Sequence, residues 1–399
     1  MKILLSSESY WPNFDGGAVF EHRLVHELID DGHEVAFIAP GKSLKPYVEH
    51  EGQSVIYRTS SGPLPLNRDY KITYRSKPTV KRAFHTFKPD VIHVHTMSMV
   101  GSNLLKLARR YDVPIVATNH LMPENVMMSF PKLVRESRWA TRAFWKAIVR
   151  FHNKFDAVTS PTPSAAKLLK DYGLAVPLYD VSNGIDTDLY RPLVPKGRQA
   201  SAAKKLLARF KLPPHYIVYC GRINAEKRLD MLVESFAAIT DKTDADLVLA
   251  GTGNREKALA ELAEKLGVSH RVHLLGRVTD PEKLALLQYA QLFAITSPAE
   301  LQSISSLEAL ACGLPLVAVD IVALAELCHD NENGFLVELD DNQACSAALL
   351  KILSDDGLRK KFGQASRDFV VKHHSTDETR RQFLRLYRSA ESGDFPNEL

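Results

Sequence analysis

Short apolar runs, each followed by an amphipathic stretch of helical period, recur along the whole chain, and this alternation leaves few folds open. The first repeat reads strand at 2–6, loop with Gly16-Gly17, helix over 18–31 closed by Gly32-His33, and strand at 35–38. Further strands are predicted at 91–95, 114–118 and 157–160, then at 216–220, 247–250, 272–274, 292–295 and 316–319, with helices between them. Repeated βα units of this kind predict parallel, doubly wound sheets with helices on both faces.

The 399 residues exceed one ordinary domain and suit two. Asn183-Gly184-Ile185-Asp186, followed by Pro192, Pro195 and Gly197, is rich in turn formers, so the linker is placed at about 190–200. The expected organisation is an N-terminal Rossmann-like domain over 1–190, a second over 200–375, and a C-terminal helix in 376–399 that returns towards the first domain. Two such α/β domains in tandem imply a cleft, with ligands at the carboxyl ends of the strands.

Cys220, Cys312, Cys328 and Cys345 show no metal-ligand spacing and read as buried thiols of a reducing compartment. The start, Met1-Lys2-Ile3-Leu4-Leu5-Ser6, has too short an apolar run for a signal peptide, and no stretch approaches the roughly 18 apolar residues of a membrane span. A cytoplasmic protein, or one peripheral on the inner face of the membrane, is expected. Residues 1–190 hold 24 Lys and Arg against 19 Asp and Glu, so the modest net charge of +4 is concentrated there.

Residues 297–320 carry the densest chemistry. A buried-type strand leads into a polar loop with Glu300, a compact helix over 305–312, a Gly313/Pro315 stop and another strand. The N–H groups of the first helical turn, around Gln302, Ser303, Ile304 and Ser305, can hold a phosphate. Glu300 and Glu308 can accept hydrogen bonds from sugar hydroxyls, which suits a nucleotide sugar. The competing reading is a capping box, in which Glu308 reaches back to the Ser305 N–H.

Arg222 and Lys227 follow the first strand of the second domain, where two cations can neutralise a diphosphate; the alternative is a solvated helix start. Gly251 and Gly253 permit close backbone approach to a nucleotide, or form a simple tight turn. His93, His95 and His120 gather at one sheet edge. Alternation puts His93 and His95 on one face, at least one of them is expected to be a packed core histidine, and His120, in a polar loop, is the better substrate contact. The pairs Asp186/Asp188 and Asp244/Asp246 read as turn chemistry rather than metal ligands.

Residues 127–154 hold seven cations, Lys132, Arg135, Arg138, Arg142, Lys146, Arg150 and Lys154, against Glu136 alone. Leu133, Phe144, Trp145, Ile148, Val149 and Phe151 form an apolar face at helical spacing. Such a basic amphipathic helix can lie on an anionic membrane surface, with Arg138, Arg142, Trp145 and Lys146 as contacts. The alternative is a domain helix with a core face and solvated cations; nucleic acid is poorly supported and not expected as a partner.

The motifs in order, Gly16-Gly17, His120, S-N-G-I-D at 182–186, G-R-x-x-x-E-K at 221–227, G-x-G at 251–253 and E-x7-E at Glu300 and Glu308, resemble those of retaining glycosyltransferases of the GT-B fold, family 4. The resemblance covers nearly the whole chain. It implies that Arg222 and Lys227 bind the donor diphosphate, Glu300 the sugar hydroxyls and Glu308 the ribose. His120 would sit beside the transferred sugar, and Gly16 and Gly17 would border acceptor and phosphate. No cofactor or essential metal is implied. Where the family often has glycines after the first glutamate, this chain has Leu301 and Gln302.

The expected activity is therefore transfer of a hexose from a nucleoside diphosphate sugar, UDP-glucose or GDP-mannose among the candidates, to an acceptor hydroxyl. The combination of 119–125 with 299–304 is similar to bacterial members that glycosylate membrane lipids. A soluble or polysaccharide acceptor, an epimerase or phosphorylase on the same fold, and a non-catalytic sugar-nucleotide binder are the alternatives.

Overall fold

The computed structural model describes residues 1–11, 16–64, 67–123, 127, 137–194 and 197–399. The chain divides into two compact units, one of residues 1–183 with 377–399 and one of residues 184–376. The turn-rich stretch around Pro192 thus belongs to the second unit instead of linking the two, and the division falls at Asn183/Gly184. Gly184 has φ +68, a left-handed conformation that glycine adopts without a Cβ penalty. Just beyond the division, the Ile185 N–H donates to the His374 carbonyl at 2.7 Å and holds this segment in the second unit.

The first unit is built on a nine-stranded sheet among the described residues, ordered β3-β4-β2-β1-β6-β7-β8-β9 with β5 beside β4. Its strands are β1 Lys2–Ser6, β2 Glu34–Pro40, β3 Tyr47–Glu51, β4 Ser54–Leu64, β5 Asn67–Arg75, β6 Val91–Val94, β7 Ile115–Thr118, β8 Ala157–Ser160 and β9 Leu178–Asp180. Pairing is parallel except at β3 and β5, which run antiparallel to β4. The periodicity predicts β1, β2, β6, β7 and β8 but not β3, β4, β5 or the three-residue β9; β3 and β5 are polar edge strands that lack the continuous apolar run of a strand buried on both faces.

That two-sided burial is explicit in β1. Ile3 and Leu5 join one core, with Phe20 and Leu24 of the helix Gly16–Asp30, and Leu4 joins the opposite core with Leu104 and Trp145. The helix Thr376–Ser392 closes the first of these layers with Phe383, Leu386 and Tyr387, all fully buried.

The second unit carries a six-stranded, wholly parallel sheet among the described residues. Its strands are β10 Tyr216–Cys220, β11 Asp246–Ala250, β12 Val272–Gly276, β13 Leu292–Ile295, β14 Leu316–Val319 and β15 Gly334–Val337, ordered β12-β11-β10-β13-β14-β15. Strand order reverses between β10 and β13 here, and between β1 and β6 in the first unit. These switch points open crevices at the carboxyl ends of the strands, where doubly wound folds bind ligands.

Candidate active site

At the switch point of the second unit, the loop after β10 makes a 3-10 turn over Ala225–Lys227, ended by Arg228 in the left-handed region with φ 47. The helix then runs Leu229–Ala237, one residue later than its predicted start. The loop after β13 is fastened to this turn. The Thr296 hydroxyl lies 3.1 Å from the Lys227 carbonyl and 2.8 Å from that of Arg228, and the Ser297 hydroxyl donates to the Glu226 carbonyl at 3.4 Å. This bracing sets Lys227 against Glu300, with Nζ donating to Oε1 at 2.5 Å and both side chains largely withdrawn from water. Arg222 is half exposed, 3.6 Å from Glu226.

Gly251 and Gly253 lie against the same loop. An added Cβ on Gly251 would stand 1.8 Å from the Gly221 carbonyl oxygen, and one on Gly253 would stand 2.1 Å from that of Ile223. Ile223 N–H donates to the Thr252 carbonyl at 2.9 Å, so the two loops share a backbone hydrogen bond. The close approach predicted for a nucleotide is here already made by the protein's own backbone.

The helix Ile304–Ala311 begins one residue before its predicted start. Its N-cap is Ser303, whose Oγ accepts the Ser306 N–H at 3.2 Å, so no capping box forms between Ser305 and Glu308. The Ile304 and Ser305 N–H groups lie in the first turn, where a helix supplies no partner of its own. Leu301, Gln302 and Ser303 are buried.

Glu308 turns inward and accepts from Lys283 Nζ at 2.5 Å. Burial depresses the Lys283 ammonium, but the adjoining Glu308 carboxylate outweighs it and holds the lysine above its ordinary range. Tyr190 packs against this pair, its ring 5.6 Å from Lys283 Nζ, and burial together with the Glu308 charge raises its phenol. Lys283 and Tyr190 escaped the sequence reading because a single lysine on an amphipathic helix and a tyrosine in a turn carry no local motif.

In the first unit, Gly16 and Gly17 open the helix Gly16–Asp30 rather than lying in the loop before it. At the end of β6, His93 and His95 share a face, as the alternation predicts, with ring centroids 3.9 Å apart. His93 is a core residue, hydrogen-bonded through Nδ1 to the Tyr387 hydroxyl at 2.8 Å and through Nε2 to the Thr118 hydroxyl at 2.7 Å. Burial, with the nearby His120, pushes it down to about 3. His95 Nδ1 lies 3.3 Å from His120 Nε2, and burial holds His95 well below its usual range.

Glu21, missed in the sequence, comes from the helix to join His95 and His120, with ligand-type atoms all within 4.8 Å of one another, a set that can hold sugar hydroxyls or a cation. Glu8, just beyond β1, accepts the Thr73 hydroxyl at 2.9 Å, and burial raises its carboxyl. Its position after the first strand was the signal available.

Asp186 shows the turn chemistry predicted for it, Oδ1 accepting the Asp188 and Leu189 N–H groups at 3.0 and 2.8 Å. Asp246 does not. Its carboxylate binds Arg271 Nε at 2.9 Å and His273 Nε2 at 2.7 Å, anchoring the start of β11.

The basic segment forms the helix Arg138–His152, capped by Ser137; Lys132, Leu133, Arg135 and Glu136 lie outside the described residues. Trp145 is not a surface contact. It is 1% exposed and stacks on Tyr172 at 5.3 Å, because Trp145, Ile148 and Val149 form the core face of the helix. Arg138, Arg142 and Lys146 are exposed and line a groove of about 710 Å³ with Asp171 and Tyr172. The aromatic that faces water is Trp139, 80% exposed. No helix among the described residues is long and apolar enough to cross a membrane.

Two family models match the chain, Glycosyltransferase Family 4 over residues 14–189 and Glycosyl transferases group 1 over residues 207–369. D-inositol 3-phosphate glycosyltransferase of Xylanimonas cellulosilytica is 30% identical over 311 residues, 75% of this chain and 72% of that protein. Alpha-monoglucosyldiacylglycerol synthase of Streptococcus pneumoniae is 27% identical over 342 residues, 84% of this chain and 75% of that protein. Among solved structures, sucrose-phosphate synthase from Thermosynechococcus elongatus superimposes with a TM-score of 0.80 at 20% identity, covering 98% of this chain and 99% of that one.

Proposed function

The chain belongs to the family 4 glycosyltransferases of the GT-B fold, and on that premise we propose that it transfers a hexose from a nucleoside diphosphate sugar to a lipid hydroxyl, with retention at the anomeric carbon. The observation that carries the donor half is the Lys227–Glu300 pair beside Arg222 and the start of the helix Ile304–Ala311. In this reading Arg222, Lys227 and the first-turn N–H groups stabilise charge on the departing diphosphate, the largest contribution the protein makes to such a reaction. Glu300 accepts hydrogen bonds from the sugar and Glu308 from the ribose. The acceptor hydroxyl attacks on the face the diphosphate leaves, and a diphosphate oxygen takes its proton. In the first unit, His120 with His95 and Glu21 offers hydrogen-bond partners to sugar hydroxyls.

The lipid acceptor rests on the exposed cations Arg138, Arg142 and Lys146 beside the exposed Trp139. Cations at an anionic surface each contribute about 1 kcal/mol, and an indole settles at the headgroup level. A relative named for a diacylglycerol-linked glucoside supports the same reading.

The test is transfer from labelled UDP-glucose and GDP-mannose to diacylglycerol or glycolipid in anionic vesicles, against soluble sugar acceptors. The expected result is an α-linked lipid product that depends on vesicle charge and drops when Arg138, Arg142 and Lys146 are all replaced by Gln. Transfer confined to soluble acceptors overturns the lipid reading, and an inverted product overturns retention.

A further inference from the structure

On the helix Gly16–Asp30, His22 and His26 are one turn apart and share a face, and Glu51 ends the outermost strand, β3, beside them. Their ligand-type atoms converge. His22 Nε2 lies 2.7 Å from Glu51 Oε1 and 3.2 Å from His26 Nε2, and all three atoms fall within 4.8 Å of one another. We propose that His22, His26 and Glu51 form a binding site for a divalent transition metal, zinc above all, that clips the edge strand β3 to this helix.

An imidazole nitrogen has a single in-plane site, filled either by a proton or by a lone pair. A proton on His22 Nε2 satisfies Glu51, but the same proton cannot also serve His26 at full strength. A lone pair there accepts from His26 and faces the Glu51 carboxylate with like charge. One dication among the three atoms satisfies all of them.

Bonds of about 2.0–2.1 Å to a tetrahedral zinc set its ligand atoms roughly 3.3 Å apart; the two imidazole nitrogens, 3.2 Å apart, already have that separation, and the Glu51 oxygen, 2.7 Å from His22, has to draw back by a few tenths of an ångström. Two imidazoles and one carboxylate, with a water in the remaining position, is a donor set that zinc takes. The groups around the site hold the ligands in place. The Tyr10 hydroxyl lies 3.5 Å from the other Glu51 oxygen, and Trp11 stacks on His22 with centroids 5.0 Å apart. The His22 and Glu51 side chains are 25% and 30% exposed, so an ion can reach them from solvent.

The experiment uses the full chain, stripped with chelator and titrated with zinc chloride. The expected result is one saturable zinc per chain and a melting temperature raised by about 5 °C at a hundredfold excess over Kd. His26→Ala and Glu51→Gln should each weaken binding at least tenfold. Copper(II) should quench Trp11 emission, and Trp11→Phe should remove that quenching while binding persists, a readout that does not depend on how well the ligand variants fold. Absence of saturable binding, or binding unchanged in His26→Ala, overturns the site.

Discussion

Lys227 Nζ and Glu300 Oε1 stand 2.5 Å apart across the switch point of the second unit, in loops that follow β10 and β13 and are separated by 73 residues. The ammonium is held at the carboxyl edge of the sheet by a group that is itself a candidate sugar ligand, so the two roles are mechanically linked.

Separating them gives the first prediction. Lys227→Ala should weaken nucleoside diphosphate binding by about 10- to 100-fold, the loss of one hydrogen bond to a charged group. Glu300→Gln removes the competing carboxylate, so the same titration should show diphosphate binding retained or tightened while turnover falls on the order of 100-fold. Calorimetry with the diphosphate and a transfer assay read the two effects separately. Lys227→Ala with unchanged diphosphate affinity and turnover counts against the assignment.

Gly251 and Gly253 should be intolerant of even one methyl group. A Cβ at either position would sit about 2 Å from a backbone oxygen, 1.8 Å for Gly251 and 2.1 Å for Gly253, and backbone cannot rotate away as a side chain can. Gly251→Ala and Gly253→Ala should each cost roughly 2–3 kcal/mol in urea unfolding, as overpacked sites do. Gly267→Ala is the control. Gly267 has φ +74 but open space around it, so only the left-handed backbone cost of about 1 kcal/mol applies.

Acid should destabilise the protein through four histidines whose protonation burial opposes, His93, His95, His152 and His374. Burial lowers His93 to about 3 and His152 and His374 to about 4, against 6.5 for the ordinary imidazole. Between those limits the unfolded chain binds more protons than the folded one, so stability rises with pH. It is fully present above about pH 6.5 and is lost as pH falls towards 4, by roughly 1.4 kcal/mol per pH unit for each histidine. Thermal melts from pH 7.5 to 4.5 should show this slope, and His152→Gln should make it shallower by about one proton.

Much of the candidate site was legible in the sequence because its carriers are local. Glycines at fixed offsets from a strand, cations after a strand and glutamates just before and within a helix are patterns of a few residues, and the strand predictions placed them at sheet edges. Trp145 and Trp139 show where that logic stops. Helical spacing identified an apolar face at 144–151 without saying whether core or membrane covers it, and packing against Tyr172 assigned it to the core. The strands β3 and β5 were invisible for a related reason, since antiparallel edge strands need no continuous apolar run.

The βα repeats with their parallel central strands, and the glycines at their turns, were readable from the sequence, because backbone propensity and hydrophobic period act over a few neighbouring residues. The tertiary structure alone decided which charge meets which: Lys227 with Glu300, Lys283 with Glu308, and His22 with Glu51. Ion pairs and hydrogen bonds are made over about 3 Å. Partners 25 to 73 residues apart in the chain are chosen by the sheet order that brings their strands, helices and loops together, which no local pattern records.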